Sequence, residues 1–250
     1  MAKVLLTLRY IGTQYHGWQV QPNGVTVQET LQDALEQIRG VRPSVTGCSR
    51  TDAGVHAYRF YCTTDKPERM TCEKLLQALN AVLPSDVSVI ACREVDDAFH
   101  PRYSAHGKRY VYRIYNGAVR NPFEDPYSLW VRSPLCESEM DAVAKLFVGT
   151  HDFSAFCSAG SSVQDKVRTV KRSSVERNGD LITYTVEADG FLYNMVRIFV
   201  GTILDVTAGR LSEEDVKTAL KTGDRCLAGA TAPAQGLFLD EVWYETEGNV

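Results

Sequence analysis

The chain has 250 residues, a formal net charge of −4 and 44% hydrophobic residues, enough apolar material for one large domain or two ordinary ones with a packed core. No apolar run approaches the roughly 20 residues that span a bilayer, and the strand-like start Met1-Ala2-Lys3-Val4-Leu5-Leu6-Thr7 lacks the small-residue cleavage site of a secretory signal. Seven cysteines, odd in number, scattered and without a Cys-x-x-Cys pair, argue against a disulfide framework and a zinc site and for a reducing cytoplasm.

In chain order, the first hundred residues read β-α-β-β-α-β. Val4, Leu6, Leu8 and Tyr10 alternate as a half-buried strand. Thr26-Val27-Gln28-Glu29 is a capping box that opens a helix with Val27, Leu31, Ala34, Leu35 and Ile38 on one face, and Gly40 ends it. Residues 44–48 and 57–64 read as strands flanking a loop. Thr71 caps a helix through Leu75, Leu79 and Val82, stopped by Pro84, and residues 87–95 form the last strand. This is the order of a ferredoxin-like unit, a sheet with helices on one face.

The second half has a different layout. Residues 109–115 alternate like a strand, and 138–148 read as a helix with Met140, Val143, Ala144 and Phe147 apolar. Two strand runs, 166–177 and 181–188, join around Asn178-Gly179, a hairpin signal. Residues 191–206 form a mostly apolar helix, Ser212 opens a short amphipathic one, and 237–244 is a closing strand. The fold class expected is α+β, with a boundary near residues 104–107. That gives an N-terminal domain over 1–104 and a second α+β domain over 105–250, packed around one cleft.

Four features bear on chemistry. Arg50-Thr51-Asp52-Ala53-Gly54-Val55-His56 puts a carboxylate in a loop between two apolar runs, with a cation two residues before it. A carboxylate so placed stays ionised and open to a substrate, as a nucleophile must be. The same four residues Thr-Asp-Ala-Gly are also ordinary turn chemistry. Arg197 is the one charged side chain in the first thirteen residues of the apolar helix from Phe191. Either it reaches an anion, with Asp52 the candidate, or it snorkels at the helix edge.

Residues 98–123 carry Arg102, Lys108, Arg109, Arg113 and Arg120 with no acid, interleaved with Tyr103, Tyr110, Tyr112 and Tyr115. That pattern suits phosphate contact plus base stacking, and it equally suits a solvated strand face. A second basic run holds Lys166, Arg168, Lys171, Arg172 and Arg177. Tyr110 and Tyr112 share one strand face, in the core or against a base. The five histidines show no metal-ligand spacing, although His16 and His56 with Asp52 define a conceivable hydrolytic metal site. No Walker loop, no Gly-x-Gly-x-x-Gly after a strand and no Gly-x-Ser-x-Gly is present.

Five blocks in register resemble the bacterial TruA-type tRNA pseudouridine synthases. They are Tyr10-Ile11-Gly12-Thr13-Gln14-Tyr15-His16-Gly17-Trp18-Gln19 with Thr26-Val27-Gln28-Glu29, then Arg50 to Ala57, Phe99-His100-Pro101-Arg102-Tyr103-Ser104-Ala105, Lys108-Arg109-Tyr110-Val111-Tyr112, and Asn194-Met195-Val196-Arg197. The resemblance spans essentially the whole chain. It implies the pseudouridine synthase fold, two ferredoxin-like halves with antiparallel sheets flanking a central RNA-binding cleft.

The resemblance also implies isomerisation of uridine to pseudouridine at positions 38, 39 and 40 of tRNA, in the anticodon stem-loop. No cofactor and no metal are implied. By resemblance Asp52 is the nucleophile, Tyr110 stacks on the target base and Arg50 holds the flipped nucleotide or its phosphate; because an ordinary Asp is already ionised at neutral pH, the role expected of a neighbouring Arg197 is to orient Asp52. Arg102, Lys108, Arg109 and Arg113 are the expected RNA-backbone contacts. A homodimer with tRNA lying across both subunits is implied too, in the cytoplasm and away from membranes. The competing readings are a non-catalytic RNA-binding protein on the same scaffold, a paralogue with a different RNA target, and a metal-dependent hydrolase. One departure stands out: Ser49 occupies a position where the family usually has Gly, which adds strain if that backbone needs φ > 0.

Overall fold

The computed structural model describes residues 2–68, 70–161 and 163–244. Its contacts group the chain into two compact units, residues 1–106 with the segment from Phe238 onward, and Gly107–Leu237. The first unit is built from β1 (Lys3–Tyr10), α1 (Val27–Arg39), β2 (Thr46–Gly47), β3 (His56–Asp65), α2 (Cys72–Val82) and β4 (Val87–Val95). β1 lies antiparallel between β4 and β3, and β2 pairs antiparallel with the far edge of β3 at Thr46↔Thr63 and Gly47↔Cys62. The resulting order β4-β1-β3-β2 is ferredoxin-like, as the element order implied.

Local chemistry sets these boundaries. The Thr26 hydroxyl accepts the Glu29 N–H at 3.3 Å, and Gly40 closes α1 at φ 74°. The Thr71 hydroxyl caps α2, whose end at Leu83 is extended, as a residue before proline prefers. Val27, Leu31, Ala34 and Leu35 of α1 and Leu75 and Leu79 of α2 are buried. Each fully buried leucine contributes about 1.5–3 kcal/mol of transfer free energy. β1 departs from the half-buried expectation: every residue from Val4 to Leu8 is buried, so both faces of this central strand are covered.

The second unit contains β5 (Ala105–Tyr115), β6 (Leu129–Trp130), α3 (Glu137–Lys145), β7 (Gly149–Asp152), β8 (Val167–Asn178), β9 (Leu181–Ala188), α4 (Met195–Thr207) and α5 (Glu213–Thr222). The antiparallel order is β5-β9-β8-β7, and β6 adds two residues parallel to β5. The β8–β9 hairpin turns at Gly179-Asp180, with Gly179 at φ 60° and Asp180 outside the positive-φ region, the arrangement of a type II′ turn. A reciprocal capping box forms at Ser212 and Asp215 and opens α5. The apolar helix starts at Met195, four residues later than its composition suggested, because Asn194 adopts φ 61° and interrupts helical geometry.

Phe147, Phe153, Phe156 and Phe199 form the aromatic centre of this unit, with Phe147 and Phe199 stacked at 4.0 Å. α4 approaches the segment 229–232 closely. A Cβ added at Gly201 would lie 1.7 Å from the Ala230 carbonyl oxygen, and one at Gly229 would lie 2.5 Å from Gly201 carbonyl carbon. The Thr202 hydroxyl accepts the Gly229 N–H at 2.8 Å.

The closing strand is β10 (Leu237–Tyr244). It pairs parallel to β3 at Phe238↔His56 and Leu239↔Ala57, and from Phe238 it is counted with the first unit, not with residues 105–236. Among the described residues no helix is long and apolar enough to cross a membrane, and all seven cysteines are free thiols.

Gly201→Ala places a helix-favouring residue where its methyl meets a carbonyl oxygen. Instead of the usual gain of up to about 1 kcal/mol for Gly→Ala in a helix, the substitution is expected to destabilise by about 1–3 kcal/mol. Urea unfolding should show a lower midpoint at unchanged slope, and a midpoint at or above wild type would refute the close approach.

Candidate active site

The loop that carries Asp52 is fixed by backbone contacts on both sides. The Val55 N–H donates to the Asp52 carbonyl oxygen at 3.1 Å, with Gly54 at φ 80°, the position where a type II turn requires positive φ. The Thr51 carbonyl accepts the Trp18 N–H at 3.1 Å, and the Gly54 N–H donates to the Tyr15 carbonyl at 3.2 Å. Thr51, 7% exposed, shares a 2.8 Å hydroxyl bond with Tyr10. The Asp52 side chain is left half-buried.

This seat is formed by the Tyr10–Trp18 segment. A Cβ on Gly12 would stand 2.0 Å from the Val55 carbonyl oxygen, and one on Gly17, whose φ is 83°, would stand 2.4 Å from the Thr51 carbonyl oxygen. Only glycine permits so close an approach of two backbones. Trp18 is stacked on Phe60 at 4.0 Å, and the Tyr15 hydroxyl donates to Asp86 at 2.7 Å, which anchors the segment. β3 also carries an extra residue where Leu8↔Phe60 gives way to Tyr10↔Ala57. Such bulges re-aim neighbouring side chains and often border active sites.

His56 follows the loop and is buried. Its Nδ1 accepts the Gly12 N–H at 3.0 Å, and its ring stacks on Phe238 at 4.6 Å. His16 is exposed. No group of three or more His, Cys, Asp and Glu side chains is placed to hold a metal among the described residues. Arg50 is exposed and has no ion pair or hydrogen bond to another described residue. Ser49 is not at positive φ, since Asn194 is the only non-glycine residue there among those described. The backbone strain anticipated for the Ser49 departure is therefore absent.

Tyr110 and Arg197 belong to the second unit, whereas Arg50 and Asp52 belong to the first. Tyr110 and Tyr112 do share the buried face of β5. Tyr110 is 6% exposed and meets Phe191 edge-on at 5.0 Å. Tyr112 is fully buried, its hydroxyl donates to the Pro233 carbonyl at 2.8 Å, and burial pushes its pKa upward. Arg197 is half-buried on the first turns of α4. Its Nε donates to the Ala232 carbonyl at 2.6 Å and its Nη1 to Asn194 Oδ1 at 2.9 Å. The guanidinium is thus held at two points by its own unit, which a snorkelling side chain is not.

The expected RNA-backbone residues divide. Arg102 is exposed, its guanidinium 5.7 Å from the centre of the Tyr103 ring. Lys108 is only 8% exposed. Arg109 faces Glu187 at 3.6 Å and Arg113 pairs with Glu124 at 2.7 Å. Those carboxylates lie outside the acid-free stretch in sequence, so composition could not reveal them. Sequence reasoning also gave no role to Gly12, Gly17 or Asn194, although all three stood inside the motifs singled out.

Gly12→Ala and Gly17→Ala should shift the Asp52 loop. If Asp52 is the reacting group, a displacement near 1 Å lowers turnover about 10²-fold. Gly40→Ala is the control, because its φ is 74° but no atom lies within 4 Å of the added Cβ. It carries the left-handed strain alone, about 1–2 kcal/mol, and should leave turnover of the folded enzyme unchanged. Equal turnover in all three variants would refute the close backbone approach at Gly12 and Gly17.

Comparison with known proteins shows the family. The chain matches the family described as tRNA pseudouridine synthase over residues 7–104 and 143–245. It is 46% identical to a tRNA pseudouridine synthase A of Thermoanaerobacter sp. (strain X514), across 98% of this chain and 100% of that protein. It is 42% identical to the protein of the same name from Geobacillus kaustophilus (strain HTA426), across 98% and 95% respectively, and 43% identical to that of Ruminiclostridium cellulolyticum, across 98% and 100%. With both blocks of the family matched and its relatives aligned almost end to end, the chain belongs to the tRNA pseudouridine synthase family.

Proposed function

We propose that the protein isomerises uridine to pseudouridine in the anticodon stem-loop of tRNA, at positions 38, 39 and 40, with Asp52 as the nucleophile. The observation that carries this reading is the half-buried Asp52 carboxylate on a loop whose backbone is locked by Gly12, Gly17 and Gly54. Preorganised placement of a reacting group is worth several kcal/mol in a rate. Family membership supports the substrate class.

The chemistry balances without a redox partner. The N1–C1′ bond breaks, the uracil turns, a C5–C1′ bond forms, C5 loses its proton and N1 gains one. Attack of Asp52 on C1′, attack on C6, and proton abstraction to a glycal all need an ionised carboxylate, which an ordinary Asp supplies at neutral pH. A target in the stem must first leave its stack, at a cost of a few kcal/mol. Tyr110 stacks on the freed base, Arg50 holds the nucleotide or its phosphate, and Arg197 orients the reacting carboxylate. Arg102 is the backbone contact its exposure favours, ahead of Lys108, Arg109 and Arg113. The enzyme acts in the cytoplasm as a homodimer, each mildly acidic subunit adding a local basic patch to one tRNA-binding surface.

Tritium release from [5-³H]uridine-labelled tRNA tests the reading directly. In EDTA, wild type should release tritium and Asp52→Asn should fall by at least about 10³-fold while binding tRNA normally. If neither protein releases tritium and both bind tRNA equally, the RNA-binding or altered-target reading replaces this one. Inhibition by EDTA would favour a hydrolytic metal site.

A salt series separates the basic residues. Arg102→Ala should reduce the slope of log affinity against log salt by about 1. Arg113→Ala should leave that slope nearly unchanged and lower the melting temperature, because it removes the partner of Glu124. The reverse pattern would return Arg113 to the RNA surface.

A further inference from the structure

Asn194 is the only non-glycine residue at positive φ among those described, with φ 61°. Such a backbone is strained for an L-residue, least for Asn and Asp. It stands at the N-cap of α4, yet its side chain makes no capping bond to the helix. The amide instead bridges two other groups: Nδ2 donates to Ser158 Oγ at 2.9 Å, and Oδ1 accepts from Arg197 Nη1 at 2.9 Å. A residue that keeps a strained backbone and gives up the ordinary cap to make two side-chain bonds is over-determined by its surroundings.

The other hold on the same guanidinium is backbone. Arg197 Nε donates to Ala232 O, and Ala232 N–H returns a bond to the Arg197 carbonyl at 3.1 Å. The 229–233 segment that presents Ala232 is itself clamped, by the Gly201 and Gly229 approach to α4, by Thr202 and by the Tyr112 hydroxyl on Pro233. The Nε edge of Arg197 is therefore fixed by main chain that no side-chain change can remove. At Nη1 the bond is to the Asn194 side-chain amide.

We infer that Asn194, steadied by Ser158, is a positioning residue that sets the direction of the Arg197 guanidinium. The left-handed backbone at 194 is what brings an acceptor on a three-atom stem to Nη1. The inference rests on the proposed role of Arg197 in the reaction, and its test includes a reading that is independent of turnover.

Two variants separate backbone from acceptor. Asn194→Gly relieves the φ strain and deletes Oδ1. Asn194→Asp keeps the acceptor and tolerates φ 61°, losing only the donor to Ser158. With wild type as reference, Asn194→Gly should hold or raise the melting temperature, leave KM for tRNA unchanged and lower kcat about tenfold. Asn194→Asp should stay within about threefold of wild-type kcat, a rescue that a merely structural role would not produce.

The independent reading is the ¹⁵N spectrum of the arginine side chains. Restricted rotation about the Arg197 Nε–Cζ bond should be seen in wild type and Asn194→Asp and should be lost in Asn194→Gly. Equal kcat in Asn194→Gly and wild type, equal impairment of the two variants, or unchanged rotation in Asn194→Gly would each overturn the inference. Absence of tritium release in wild type with the rotational pattern intact would instead count against the proposed function and leave the positioning of Arg197 standing.

Discussion

Two main chains that touch without side chains between them set the terms for everything else in the first unit. Thr51 and Val55 offer carbonyl oxygens to a segment that can reach them only because residues 12 and 17 have no Cβ. That contact does two things at once. It satisfies the Thr51 carbonyl and the Gly54 N–H, and it restrains the backbone that carries Asp52. Tyr10, Tyr15 and Trp18 are the fastenings of the segment, tied to Thr51, Asp86 and Phe60 in turn.

The second unit solves a similar problem with similar means. α4 and the segment beyond residue 228 approach at Gly201 and Gly229, and the closeness aligns a carbonyl for the Arg197 guanidinium. In each unit the backbone around a charged side chain is held by main-chain contacts, and glycines permit those contacts. Such placement is stiffer than one built from side chains alone, because no rotamer change can undo it.

Much of this architecture was legible in the residues. Thr26, Gly40, Thr71 and Ser212 marked helix ends that the fold keeps, since caps act within three or four positions of the chain. The alternation of Tyr110 and Tyr112 against Arg109 and Arg113 gave the faces of β5 correctly. Long-range matters were not legible. β1 was read as half-buried from its alternation, but Leu5 and Thr7 are covered as well. The run of cations near residue 110 looked unpaired because Glu124 and Glu187 enter from other segments. α4 starts later than its hydrophobicity implies, since hydrophobicity says nothing of a left-handed Asn194. For the candidate site, the loop motif showed Asp52 and Arg50, whereas the need for glycine at positions 12 and 17 emerged only from distances.

The return of β10 to the first unit has a kinetic side. Arg59 and Glu241 form an ion pair, with Tyr61 donating to the same carboxylate, across a sequence separation of 182 residues. Gly107–Leu237 is in effect an insertion within the first unit, between β4 and its last strand. Closing so long a loop costs little more free energy than closing a short one, because the entropy grows only as the logarithm of length. It does delay the contact in time. A nascent chain lacks the partner of β3 at His56 and Ala57, beside the Asp52 loop, until residues 238 and 239 have been made. During that interval the strand edge stands open to a neighbouring chain, and the growing protein is most exposed to misassembly there.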